Sequence, residues 1–437
     1  MNSLPISEFI MDFEDFPGGE INLESERVRE AAELSNQQIT EAKKWRVYLN
    51  ALAAIAFEEW LKEREPNISV RREDCTVCQP EYANLIPVVA NLAAGKFKIS
   101  LIVAGIVCDS VTVPRAVIDL PDFVPHFYVL LEVEEELEIA SIRGFLRYDE
   151  LASMGQKLVP KADWSYQLPT AWFNPNPDDL LLYLRCLEPE AILLPEVANN
   201  PPQVISKIEA KLMDLLPKFQ TGELWQFLSW EEGVAVLTSP DLVNSIYRLQ
   251  KGEIENANAY LSDLLELLTR QAVNVVNWAD NKIDEVGKAL SWQLLPASNL
   301  RLKIEKKPMV EFEDILNSIQ RGKKTTIPSH AGRGYREFIL AETTVRLYAV
   351  SWSISEEEKE WSLLLILSAV GGSELQSGIK LRVSDRQEIL IEKTPAPDSK
   401  NPYPFIRVIG SWDEKFVATV ATADDGEKIS TVFEWKG

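Results

Sequence analysis

Apolar positions along the chain change period several times, and each change marks a candidate element. Over about 25–64, Trp45, Leu49, Leu52, Ala56 and Trp60 recur at three- and four-residue steps, while Lys43, Lys44, Glu58 and Glu59 fall mostly elsewhere. This predicts an amphipathic helix, with Ser35 and Gln38 as a weak capping box inside it and Pro66 as its stop. The period then shortens to two. In "KFKISLIV", Phe97, Ile99 and Leu101 alternate with Lys96, Lys98 and Ser100, the pattern of a half-buried strand. "VTVP", "HFYVLLEVE" and "LEIASIRGFLRY" read as further strands, so a small sheet packed by the first helix is expected.

From about 156 to 300 the text is helical. A leucine-dense helix starts near Asp178 in "LPTAWFNPNPDDLLLYLRCL", and "PQVISKIEAKLMDLLPKF" predicts another, after an "NNPPQ" loop at 199–203. The stretch from "IENANAYL" to "VGKAL" reads as helix too, with Val273, Val276, Ile283, Val286 and Leu290 at near-helical spacing. No self-similar period supports a solenoid. From about 337 onward seven short strands follow one another: "TVRLYAVSWSI", "EWSLLLILSAV", "IKLRVSD", "EILIEKT", "PFIRVIGSW", "KFVATVATA" and "KISTVFEW". Turn residues separate them, "ADDGEK" at 423–428 being a hairpin signal. Seven strands in about 100 residues predict an antiparallel sandwich of immunoglobulin-like size.

The expected fold class is α+β: an N-terminal small sheet with helices, a helical middle and a C-terminal antiparallel β-sandwich. The boundaries follow from the same pattern. They give an acidic flexible arm (1–24), an α+β domain (25–155), a mainly helical region (156–320), a basic linker loop (321–336) and a β-sandwich domain (337–437).

Charge narrows the function classes. With 45 basic and 67 acidic residues the formal charge is −22, which repels phosphate backbones and anionic lipid and so disfavours direct nucleic-acid or membrane binding. No apolar run reaches the length of a membrane span. The acidic N-terminus lacks the pattern of a secretory signal, and four cysteines in 437 residues do not make a disulfide scaffold. A reduced, cytoplasmic protein is expected.

Candidate chemistry is sparse. "DCTVCQP" places Cys75 and Cys78 at the spacing of a zinc knuckle or a redox dithiol. Zinc needs four ligands, and the other soft side chains are Cys108, Cys186, His126 and His330, of which both cysteines sit in apolar contexts. No βαβ pattern surrounds the pair, so it reads as small residues in a turn. His126 reads as a partly buried core residue, and His330 falls in a loop. The sequence has no G-x-S-x-G, Walker A or G-x-G-x-x-G motif. "EVEEELE" at 132–138 lacks calcium-loop spacing and reads as a solvated strand end. No catalytic, cofactor-binding or metal-binding residue is therefore assigned, and no cofactor is expected. The one basic stretch, "RGKKTTIPSHAGRGYRE", offers Arg321, Lys323, Lys324, Arg333 and Arg336 as partner or latch contacts on an otherwise acidic chain.

Four segments together carry a family resemblance: "WRVYLNALAAIAFEEWL", "VPRAVIDLPDFVPHFYVLLEVEEELEIASIRGFLRYDEL", "YQLPTAWFNPNPDDLLLYLRCL" and the tail from "SAVGGSELQSGIKLRVSD" to "STVFEW". In this order they resemble the cyanobacterial family catalogued as domain of unknown function 1822. The resemblance implies a cyanobacterial, cytoplasmic protein, in a family associated with genes for RNA polymerase sigma factors and caspase-like signalling proteins. It transfers no catalytic or ligand residue. The expected function is that of a non-enzymatic protein-interaction or regulatory protein, linked to transcription or signalling. Its expected partner is a protein with a basic surface, such as a transcription factor subunit. The alternative is an enzyme or nucleotide-dependent factor whose site has no sequence signature.

Overall fold

The computed structural model describes residues 20–437 apart from 74, 88, 106–108, 197–200, 220–221, 296–306, 323–326, 371–374, 377 and 396–402. These residues fall into two compact units, one drawn from Met1–Pro201 and Lys218–Lys251, the other from Pro202–Pro217 and Gly252–Gly437. Each combines helices with sheets, a mixed α+β architecture.

The first unit is built on a six-stranded sheet ordered Glu20–Asn22, Ile139–Arg147, Phe127–Glu134, Phe97–Ala104, Ala90–Ala94, Val70–Arg71. Its pairs are antiparallel except the central one, where Phe97–Ala104 and Phe127–Glu134 run parallel. The helix Glu41–Arg64 covers one face, and its Leu52, Ala56 and Trp60 share a core with Ile99, Leu101 and Val129. A two-stranded ribbon, Ser110–Pro114 with Ser165–Pro169, covers the other face through Val113, Tyr166 and Leu168, against Ile102, Tyr128 and Leu130. Central strands buried on both faces lose the clean alternation of a half-solvated strand. That is why Ser100, expected to point outward, is fully buried.

Four further expectations for this unit need correction. The N-terminal helix is two helices, Ser25–Ser35 and Glu41–Arg64. Thr40 caps the second by accepting from the Lys43 N–H, whereas Ser35 ends the first and no Ser35–Gln38 box forms. Trp45 is not part of the buried stripe, being 53% exposed. The acidic arm lies outside the described residues over 1–19, but Glu20–Asn22 is an edge strand, fixed by pairing with Ile139–Ser141 and by burial of Ile21 and Leu23.

In the second unit all seven predicted strands are present, and both five-stranded sheets recruit partners from the preceding sequence. One sheet is ordered Gln293–Leu294, Gly332–Leu340, Thr343–Ser355, Glu360–Ala369, Phe405–Ser411; the other is Ile389–Lys393, Ile379–Ser384, Lys415–Thr422, Lys428–Glu434, Val273–Asn274. Both contribute to one core, Leu347, Trp361 and Leu363 from the first meeting Leu381, Phe416 and Phe433 from the second. The helix Lys307–Gly322 packs Phe312, Ile315 and Ile319 against Tyr348, Val350 and Ile366 of the first sheet.

Helix Ala257–Thr269 stops where the sequence pattern continued. Val273–Asn274 is instead a strand pairing in parallel with Phe433–Glu434, followed by a 3-10 segment, Val276–Asp280, and a short helix, Glu285–Ala289. The β-branched valines suit a strand, and pairing with residues about 160 positions away overrides the local period. The mainly helical region does not stand as a body of its own: Trp230–Leu237 and Pro240–Gln250 belong to the first unit and Ala257–Thr269 to the second. Among the described residues no helix is long and apolar enough to cross a membrane.

Candidate functional site

The basic stretch is regular at both ends. Arg321 lies in the last turn of Lys307–Gly322, its side chain not among those described, and Lys323 and Lys324 lie outside the described residues. Arg333 and Arg336 sit in the Gly332–Leu340 strand, not in a loop. Arg333 is only 7% exposed, stacked at 6.0 Å over the Phe312 ring, and burial lowers its pKa. Arg336 is half-buried, donates to Thr431 Oγ1 at 3.3 Å, and lines a hollow of about 830 Å³ with Arg270, Glu266 and Glu285. Of the five, Arg333 and Arg336 have described side chains, and strand pairing places Arg333 inside while Arg336 stays half-buried.

A better site lies in the first unit, in a groove of about 520 Å³. Its floor is apolar, with Leu49, Val89 and Ile102, and the rings of Trp45 and Trp225 line it too. Arg46, Asn50, Asp163, Ser165 and Glu223 supply the polar lining. The helix Glu41–Arg64 delivers Trp45, Arg46, Leu49 and Asn50, which recur at helical spacing on one side.

Three polar atoms of this lining, Arg46 Nε, Asn50 Oδ1 and Glu223 Oε2, are buried and have no hydrogen-bond partner among the described residues. The rest of each side chain is held. Asn50 Nδ2 donates to the Arg46 carbonyl at 2.9 Å. Glu223 Oε1 lies 3.6 Å from Arg46 Nη2 and 3.8 Å from Lys43 Nζ. Lys43 is itself buried, donates to the Asn84 carbonyl at 2.5 Å, and has its pKa lowered by that burial. Buried polar groups are normally paired, and an unpaired one costs about 1–3 kcal/mol. A ligand presenting donors to Asn50 and Glu223 and an acceptor to Arg46 would recover that cost.

Backbone strain marks the same wall. Trp164, between Asp163 and Ser165, has φ +56°, a left-handed conformation that a bulky residue seldom adopts. Its ring is held edge-on to Trp230, with centroids 5.3 Å apart, and Arg115 lies 4.4 Å over the Trp230 ring. Strain of this kind persists only where packing over-determines it, and it concentrates at functional sites.

The cysteine pair is a second cluster. The Cys78 N–H closes a turn onto the Cys75 carbonyl at 2.8 Å, which sets the two thiols beside each other. Thr76 anchors the turn, its N–H and hydroxyl both donating to Asn91 Oδ1 at 2.7 Å. Cys75 is buried; Cys78 lines a hollow of about 560 Å³ together with Arg72. The neighbouring Cys78 thiol and burial raise the Cys75 thiol pKa, while the neighbouring Cys75 thiol, aided by the Arg72 charge, brings Cys78 down to about 7. The turn assignment holds, but the environment is not that of two indifferent small residues. Cys186 is exposed, and Cys108 lies outside the described residues.

The remaining candidates have structural roles. His126 is buried and accepts the Lys98 N–H at Nδ1, 2.9 Å away. Glu132 of the acidic run is buried and paired with Arg143, not solvated. Among the described residues no group of three or more His, Cys, Asp or Glu could hold a metal ion. Sequence reasoning missed the groove because its lining comes from six separated segments; only the polar neighbours of Trp45 on the helix hinted at it.

No curated protein and no solved structure matches this chain. A family model described as "Protein of unknown function (DUF1822)" matches residues 21–429, which takes in both units. The resemblance read from the four segments thus extends over nearly the whole sequence, and the chain belongs to the DUF1822 family.

Proposed function

We propose that this protein is a non-enzymatic interaction module with a regulatory role, and that the Trp45 groove holds a segment of a basic protein partner such as a transcription factor subunit. The observation that carries this reading is the exposed Trp45 ring in a groove that also contains three unpaired polar atoms. Trp45 and Trp225 supply aromatic lining that suits a cationic side chain, and Glu223, Asp163 and Asn50 supply acceptors for its N–H groups. Arg46 Nε faces the opposite requirement and suits a backbone carbonyl of the same segment. A net charge of −22 adds long-range attraction, which raises the association rate more than it lengthens the complex's lifetime. Reduced cysteines fit a cytoplasmic setting.

The second unit is proposed to be a sandwich of immunoglobulin-like size, antiparallel apart from the parallel pairing of Val273–Asn274 with Phe433–Glu434; support comes from the core shared by its two sheets.

The test is selection of displayed random peptides on the intact protein, repeated with Trp45→Ala and Glu223→Gln. The reading expects enrichment of Lys- and Arg-containing peptides that is lost with Trp45→Ala and weakened with Glu223→Gln. Enrichment equal on all three proteins would place binding elsewhere, and no enrichment would remove the interaction reading at this groove.

A further inference from the structure

We propose that Cys75 and Cys78 form a reversible dithiol–disulfide site, which exchanges preferentially with disulfides carried on positively charged molecules. This site is separate from the Trp45 groove and does not depend on what that groove binds.

A turn closed by an i to i+3 hydrogen bond brings its end Cα atoms within about 7 Å, and a disulfide spans Cα separations of about 4.4–6.8 Å. The closed turn thus already holds the two cysteines near the separation a disulfide spans, so oxidation needs little backbone movement. Thr76 ties the turn to the Ala90–Ala94 strand, which keeps the pair in register.

The two sulfurs are also unequal. Cys78 is partly exposed in the hollow, whereas Cys75 is buried behind it. Arg72, beside Cys78, is held at 2.9 Å from both Glu30 and Glu58 and so keeps a positive charge in place. A thiol near pKa 7 is about half thiolate at neutral pH, close to the optimum for attack on a disulfide. Cys78 is therefore the attacking sulfur and Cys75 the resolving one.

The exchange balances as follows. The Cys78 thiolate attacks one sulfur of a disulfide RSSR, forming a Cys78–SR mixed disulfide and releasing one RS⁻. Cys75 loses its proton and attacks the Cys78 sulfur, forming the Cys75–Cys78 bond and releasing the second RS⁻. Both thiolates leave as RSH after protonation, so the protein loses two hydrogens and RSSR is reduced to two RSH.

The hollow's walls set the preference. Glu30, Glu33, Glu58 and Glu73 outnumber Arg72 as charged groups around Cys78. An acidic entrance concentrates cations and repels anions. Cystamine, with two ammonium groups, should therefore react about tenfold faster than glutathione disulfide, which is anionic, and the ratio should shrink toward one in about 1 M salt.

The experiment treats the intact reduced protein with each disulfide, quenches with acid at timed intervals, and locates adducts by peptide mass. Exposed Cys186 is the internal reference. The expected course is a transient mixed disulfide on Cys78, then a Cys75–Cys78 disulfide that dithiothreitol reverses. Cys75→Ser should stall at the mixed disulfide, and Cys78→Ser should leave Cys75 unmodified. If Cys75→Ser does not fold, the transient adduct in the unaltered protein still reports which sulfur attacks. A mixed disulfide that persists in the unaltered protein, first reaction at Cys186, or no reaction at Cys78 would overturn the site. Equal rates for the two disulfides would overturn the charge preference.

Discussion

Replacing Asp263 by Ala should destabilise the second unit more than any surface substitution. Asp263 is completely buried, on the helix Ala257–Thr269, and all its partners come from the sheet beside it. It accepts from Arg382 Nε at 2.7 Å and Nη2 at 3.0 Å, from Ser384 Oγ at 2.7 Å and from Thr419 Oγ1 at 2.9 Å. Without it, the Arg382 guanidinium (1% exposed) keeps Glu392 and Asp425 as its carboxylate partners among the described residues, at 3.2 and 3.0 Å from Nη1. Removing one partner of a buried pair costs about 3–5 kcal/mol. The two remaining carboxylates place this case near the lower end, about 3 kcal/mol. For a unit of this size that corresponds to a fall in Tm of about 6–12 °C. Scanning calorimetry of the intact chain measures it. Replacing the pair by apolar residues, Asp263→Leu with Arg382→Met, should recover most of the loss, because the charge left unpaired in the single variant is gone. A shift under about 2 °C for Asp263→Ala would refute the claim that this network docks the helix.

Other outcomes follow from the same geometry. Gly233→Ala should destabilise the first unit by about 1–3 kcal/mol, because the added Cβ would overlap the Trp164 ring; urea unfolding reads this, and an unchanged midpoint would mean Trp164 can move. Burial lowers the His126 pKa below its ordinary 6.5. The unfolded chain then binds more protons below that value, so the stability due to neutral His126 is present above pH 6.5 and lost as pH falls through the folded-state pKa. His126→Asn, whose Oδ1 can replace Nδ1 as acceptor for the Lys98 N–H, should flatten this part of the pH profile, measured by urea midpoints between pH 5 and about 7.5.

The parts of the fold readable from sequence were those in which local pattern and tertiary environment agree. The seven C-terminal strands alternate or run apolar between turn residues, and the helix Pro177–Cys186 begins at Pro177 after an Asn176 cap. Failures came where distant residues decide the outcome. Val273–Asn274 carries a helix-compatible spacing, and only its pairing with Phe433–Glu434 makes it a strand. Arg333 and Arg336 looked loop-like beside Gly332 and Gly334, but those glycines are required by close approach. A Cβ at either would meet the Trp278 side chain within 3 Å. The cysteine spacing was legible, while its tuning by Arg72 was not, since nothing local shows that this side chain, just past the Val70–Arg71 strand, reaches the hollow beside Cys78. The groove was the least legible feature, for its unpaired atoms belong to Arg46, Asn50 and Glu223, and only folding brings Glu223 to the helix.

The central claim is that the Trp45 groove receives a basic segment of a partner. Fluorine NMR of 5-fluorotryptophan-labelled protein tests it directly, with the Trp45 resonance assigned from Trp45→Phe and Trp361, fully buried in the second unit, as reference. On titration with a Lys- and Arg-containing peptide from the selection, the Trp45 resonance should shift saturably while that of Trp361 stays in place. Saturable binding that leaves the Trp45 resonance unmoved would contradict the account.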